Sequence, residues 1–145
     1  MRIKAFATLL ALPLLAATFA ASAQSSPVGR WKTIDDETGK PMSVTEVYMG
    51  KNGTLAAKVV ETLNMPNALC TKCSGADKNK PVTGMMVFWD VKQGKDGWGG
   101  GKGFKPSSGD KFKVKSVKLL DGGKKLEVTG CKAIFCRSAN WQRVN

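Results

Sequence analysis

The chain has 145 residues, 23 Lys and Arg against 11 Asp and Glu, a formal net charge of +12 and no histidine. Without an imidazole there is no Ser–His–Asp triad, no histidine general base and no histidine metal site. The excess charge is almost all lysine, spread as on a solvated exterior that an anionic membrane or glycolipid surface would attract; arginine, the better phosphate reader, is scarce, so nucleic acid is not an expected partner.

Met1-Arg2-Ile3-Lys4 is a short positive start. Residues 5–20 are apolar apart from Thr8, Thr18 and Pro13, and Ala21-Ser22-Ala23 has the small-x-small form of a cleavage site before Gln24. These three parts make a secretory signal peptide over residues 1–23, with an apolar stretch short for a spanning helix. Export to the periplasm is expected, with residues 24–145 as a single mature domain. Removing 23 of 145 residues leaves 122, and removing Arg2 and Lys4 from +12 leaves a charge of +10.

No window of the mature chain has a helical period. Short β-rich runs appear instead at 29–34, 43–49, 54–63, 82–91, 97–104, 110–120, 124–130 and 138–144. Turn chemistry separates them at 35–41 (DDETGKP), 50–53 (GKNG), 93–97 (QGKDG), 106–110 (PSSGD) and 121–123 (DGG). Leu55, Ala57, Val59 and Leu63 share one face of the third run. Phe112 and Val114 oppose Lys111, Lys113 and Lys115, and Leu126 and Val128 alternate with Lys125, Glu127 and Thr129. One packed face and one wet face, repeated through about eight runs, predict an all-β fold: a small antiparallel up-and-down barrel. The 85–89 stretch MMVFW is apolar on both faces, so a loop or a second copy is expected to cover its outer side. A weak homodimer through this strand is the corresponding partner expectation.

Cys70, Cys73, Cys131 and Cys136 are all the thiols present, an even number in a chain expected to be exported. Four cysteines allow three connectivities. Loop entropy favours cross-linking, at about 4 kcal/mol for a bridge between the two regions against about 2 for each small ring. Local pairing, 70–73 and 131–136, is preferred on geometry, because each pair falls within one loop or turn. A thiol–disulfide activity of Cys70 and Cys73 is the sharper competing reading. The motif is followed by Ser74-Gly75-Ala76-Asp77 and no helical period, so it lacks the helix N-terminus that stabilises a reactive thiolate. A four-sulfur zinc site would require reduced thiols in an oxidising compartment. Structural disulfides are therefore expected, with no metal, no cofactor and no catalytic residue.

Among the carboxylates, Glu61 and Asp90 fall at strand ends, where a salt bridge to one of the many lysines is the simpler role. The Gly-rich stretch at 97–103 lacks the strand-then-helix setting of a phosphate loop. An eight-stranded barrel can be filled by side chains or hold one small apolar ligand. Tyr48, Met85, Val87 and Trp89 are candidates to line such a site or its rim, as are Trp98, Phe104, Phe112 and Val114. Nearby lysines would suit a lipid-like carboxylate or phosphate. The expected function is a non-enzymatic binder of a small apolar or anionic amphiphilic ligand. An envelope structural or protein-interaction module is the alternative.

Gly29-Arg30-Trp31 opens the first run and Trp141-Gln142-Arg143 closes the last. This resembles lipocalin-like (calycin) barrels, in which a GxW tryptophan packs against a basic residue of the last strand. The resemblance implies that Trp31 and Arg143 close the barrel floor. Across the mature chain, "GRWKTIDDETGKPMSV", "CTKCSG…KNKPVTGMMVFWDV", "GGKGFKPSSGDKFK" and "LEVTGC…NWQRV" together resemble the bacterial exported domain-of-unknown-function 2147 family. That resemblance, from about Gly29 to Val144, implies a small periplasmic lipocalin-like barrel with no assigned activity. Lys105 stands where the family turn usually has Asp, which puts any role of that Asp in doubt here.

Overall fold

The computed structural model describes residues 25–145; the signal-peptide reading lies outside the described residues. Alternating apolar and polar side chains form β1 (Gly29–Ile34), β2 (Pro41–Met49), β3 (Leu55–Thr62) and β4 (Met86–Gly94). There follow β5 (Gly97–Gly99), β6 (Gly101–Lys105), β7 (Asp110–Leu120), β8 (Lys125–Lys132) and β9 (Phe135–Arg143). Neighbouring strands are antiparallel, β1 pairs with both β2 and β9, and β3 pairs with β4, so the sheet closes on itself. β5 and β6 both lie between β4 and β7, as two halves of one strand broken at Gly100, where φ is 76°. The result is a closed eight-stranded antiparallel barrel. Closure leaves no long unpaired edge for another chain to extend.

Two sequence expectations need correction. The run beginning at 82 becomes a strand only at Met86, because Val82 N–H donates to the Ala68 carbonyl and Leu69 bridges Pro81. Those residues belong to a loop that pairs with itself. Leu63 does not share the buried face of Leu55; it lies beyond β3 and is exposed.

One end of the barrel, the floor, carries the start of β1, the 50–54 turn and the end of β9. The opposite end, the mouth, carries the 63–85 loop, the β6–β7 turn and the β8–β9 hairpin. Large side chains occupy the interior, among them Trp31, Leu55, Phe88, Val91 and Leu126. Phe88 and Trp141 stack with centroids 6.0 Å apart. Nearer the mouth, the Phe112 ring lies across two glycines of the flanking strands. A Cβ on Gly103 would come within 2.2 Å of that ring, and one on Gly130 within 2.5 Å.

Thr45 stands opposite Trp31 and Val59 with 0 % exposure, and its hydroxyl has no partner. A buried unpaired hydroxyl costs about 1–3 kcal/mol, and valine keeps the shape without it. Thr45→Val is therefore expected to raise the unfolding free energy by about 1 kcal/mol. Urea titration of both proteins checks this, and a less stable variant would refute it.

Candidate functional site

The floor is closed by one side chain. Arg143 sits 4.0 Å above the ring of Trp31, which is itself fully buried and donates its indole N–H to the Pro27 carbonyl. The guanidinium donates to three carbonyls, Gly123 at 2.7 Å, Ser26 at 2.8 Å and Val28 at 3.2 Å. Partial burial lowers the Arg143 pKa from its ordinary value, and the three carbonyl dipoles offset that desolvation. The glycine of the Gly-x-Trp motif has a steric reason: Gly29 has φ 143°, and a Cβ there would sit 2.7 Å from Arg143 Nη1. Among the described residues, this end is tied together by the Arg143 hydrogen bonds and its stacking on Trp31.

At the mouth, the 63–85 loop folds around a small ring. Cys70 and Cys73 are disulfide-bonded, Cys70 N–H donates to the Lys80 carbonyl, and Asn79 N–H donates to the Cys70 carbonyl. Lys78 Nζ donates to the Thr71 carbonyl. The ring rests on the β6–β7 turn: Cys70 Sγ is 3.4 Å from the Pro106 carbonyl oxygen, and Gly109 packs directly against the Lys72 carbonyl. Lys105 opens that turn, and its carbonyl accepts the N–H groups of Ser108 and Gly109. Cys70 and Cys73 are 1 % and 4 % exposed, so reduction of their bridge is expected to need opening of the loop. The second bridge joins Cys131 and Cys136 directly across the β8–β9 hairpin.

Between this loop and β4, β6 and β7 opens a cleft of about 850 Å³, lined mostly by outer-face side chains and also by Gly103 and Phe112 of the interior row near the mouth. Register fixes which side chains face it. Phe88, Gly103 and Phe112 form one row across the three strands, and buried Phe88 marks that row as interior. Trp89 pairs with Lys102, and Phe104 with Lys111, so these four share the outer face. Trp89 and Phe104 provide aromatic surface, Met85, Met86 and Pro81 extend it, and Lys80, Lys102 and Lys111 ring it. The acid lining the cleft, Asp77, is paired with Lys80 at 3.6 Å.

The candidate ligand residues are thus divided rather than gathered. Met85, Trp89, Phe104 and Phe112 line the cleft. Val114 is a core residue, and Val87 and Trp98 pack against the core. Tyr48 lies on the outer face with Lys58 over its ring at 5.3 Å, and its hydroxyl donates to Met86 Sδ at 3.5 Å. Lys80, Lys102 and Lys111 were not singled out. Of the three, Lys111 alone carries a sequence signal, its alternation with Phe112 and Val114. Glu61 and Asp90 are both exposed; Asp90 has φ 56° in a bulge of β4, a conformation that suits its short polar side chain.

Asp110 receives Lys132 Nζ at 2.6 Å, and that hydrogen bond holds its pKa below the usual 3.8. Because the folded value is the lower one, the stabilisation is present above the unfolded pKa and is lost as pH falls through the folded one. Asp110→Asn is therefore expected to flatten the decline of Tm with pH below about 4. Melting curves from neutral to acid pH check this, and an unchanged slope would refute it.

No curated protein matches the chain. Among solved structures, protein HP1028 from the human pathogen Helicobacter pylori, described as belonging to the lipocalin family, is similar, with a TM-score of 0.68 and 21% identity. The match covers 81% of this chain and 82% of that one, so the two share a lipocalin-like fold. From the glycine that makes room for Arg143 to Arg143 itself, residues 29–143 match the model of DUF2147, "Uncharacterized protein conserved in bacteria", and the chain belongs to this family.

Proposed function

We propose that this chain is an exported, periplasmic, non-enzymatic binding protein for a small apolar or anionic amphiphilic ligand. One observation carries the reading: an aromatic floor of Trp89 and Phe104 ringed by Lys80, Lys102 and Lys111. Aromatic and methionine surface takes an acyl or ring portion, and ammonium groups at the edge take a carboxylate or phosphate. The ligand site assigned is the outer-wall cleft rather than the interior, where large side chains stand.

Dodecanoate is the probe of choice, followed by tryptophan fluorescence and native mass spectrometry. Trp89→Ala is expected to weaken binding by about tenfold or more, the loss of one buried indole. Lys102→Glu is expected to weaken it by roughly fivefold while leaving an uncharged alcohol of the same chain length unaffected. Failure of the unaltered protein to bind dodecanoate or dodecyl phosphate at millimolar concentration would overturn the reading. So would binding that neither substitution weakens.

A further inference from the structure

The β8–β9 hairpin carries a feature that folding does not explain. Ile134 and Phe135, at its tip, are 87 % and 76 % exposed, so they contribute almost nothing to the core. Leu63, Met65 and Leu69, on the 63–85 loop at the same end of the barrel, are also exposed. The tip cannot fold its apolar side chains back onto the sheet. Lys132 pairs with Phe135 across a two-residue turn, and Cys131 is disulfide-bonded to Cys136 immediately below. The turn places Ala133 at φ 54°, a region that residues with a Cβ seldom adopt. The turn and the disulfide fix the backbone that presents these two exposed side chains.

Charge surrounds this tip. Beneath it lies a hollow of about 300 Å³ lined by Lys111, Lys113 and Lys132 beside Cys131. Arg137 is exposed on β9 just behind the clamp. Asp110, at the start of β7, is already paired with Lys132; the acids of the 35–37 turn lie at the same end, and Asp35 there accepts from the N–H groups of Glu37 and Thr38 and from the Thr38 hydroxyl. An apolar point on a cationic collar is a poor match for a protein partner. Stable protein interfaces need about 20–30 residues a side and deplete lysine from their centres. It does match the boundary of an anionic bilayer, where apolar side chains enter the acyl edge and ammonium groups meet headgroup phosphates. We infer that the β8–β9 tip docks the mouth end of the barrel onto a bilayer carrying anionic headgroups. Ile134 and Phe135 enter the interface while Lys111, Lys113, Lys132 and Arg137 hold the phosphates. Lys111 borders both the hollow and the cleft, whereas Ile134, Phe135 and Lys113 line no part of the cleft and separate the docking from ligand binding.

The test is co-sedimentation of the protein, purified after export, with phosphatidylcholine vesicles and with vesicles containing about a third phosphatidylglycerol. Binding is expected to the anionic vesicles only, and to fall steeply as salt is raised. The double substitution Ile134→Ser with Phe135→Ser is expected to reduce partitioning at least about tenfold, and Lys113→Glu to reduce it roughly fivefold or more. Because the tip side chains are exposed, the Tm of the double variant should not move, and its affinity for dodecanoate should match that of the unaltered protein. Absence of binding to anionic vesicles, or binding that the tip substitutions leave intact, would overturn the inference. Self-association that the tip substitutions abolish, with no vesicle binding, would overturn it in favour of a second copy of the chain.

Discussion

Arg143→Ala is expected to lower the unfolding free energy by about 3 kcal/mol and the Tm by about 10 °C, the largest effect of any single charged residue here. Two contributions add. Hydrogen bonds from a charged donor contribute about 1.5–3 kcal/mol, and of the three carbonyls that Arg143 bonds, Gly123 is part-buried while water can take over at Ser26 and Val28. A guanidinium over an indole contributes about 0.5–2 kcal/mol more, according to how dry the site is. Exposure of some of the donors reduces the sum toward its lower half. Arg143→Lys retains the charge and loses the fork, so it is expected to recover less than half of the loss. Calorimetry of the three proteins checks the order. A cost for Arg143→Ala below about 1 kcal/mol would mean that the floor closes without it.

Gly109→Ala is expected to lift the Cys70–Cys73 ring off the β6–β7 turn. The position has φ 75°, and a Cβ there would lie 2.2 Å from the carbonyl oxygen of Lys72, a backbone atom that cannot swing away. Gly53→Ala is the matched control, since Gly53 has φ 73° and nothing within 4 Å of its would-be Cβ. Both substitutions incur the left-handed backbone cost of about 1 kcal/mol; only the first adds a collision. If the collision lowers the cost of opening the loop by about 2 kcal/mol, dithiothreitol should reduce the 70–73 bridge about thirtyfold faster. The same variant should bind dodecanoate at least about tenfold more weakly, because the loop forms one wall of the cleft. Equal reduction rates in the two variants would show that the ring does not depend on this contact.

The strands were legible wherever side chains alternate. β1 at Gly29–Ile34 and β7 at Asp110–Leu120 have the bounds that the pattern predicts. The Gly-rich run at 97–104 has too few side chains to carry a period, so its break at Gly100 was invisible and one predicted strand became β5 and β6. The start of β9 at Phe135, three residues before the predicted 138, was hidden by the hairpin beneath the second disulfide. The candidate site was harder to read. Its wall is mostly outer-face residues of β4, β6 and β7, with Gly103 and Phe112 from the interior row, and they become a cleft only because the 63–85 loop turns back over them. Periodicity separates inside from outside, but it does not say which part of the outside another segment will cover. That is why Val114 stood beside Trp89 among the candidates although the one is core and the other cleft wall.

The place where the last strand ends gives the fold a practical polarity. β1 begins and β9 finishes at the floor, where Val144 N–H donates to the Arg30 carbonyl and Arg143 reaches back to Ser26. A linker fused after Asn145 therefore leaves from the face opposite the cleft and the β8–β9 tip. Attached to a sensor chip or a bead by that linker, the protein presents its mouth to the solution, and every copy is oriented alike.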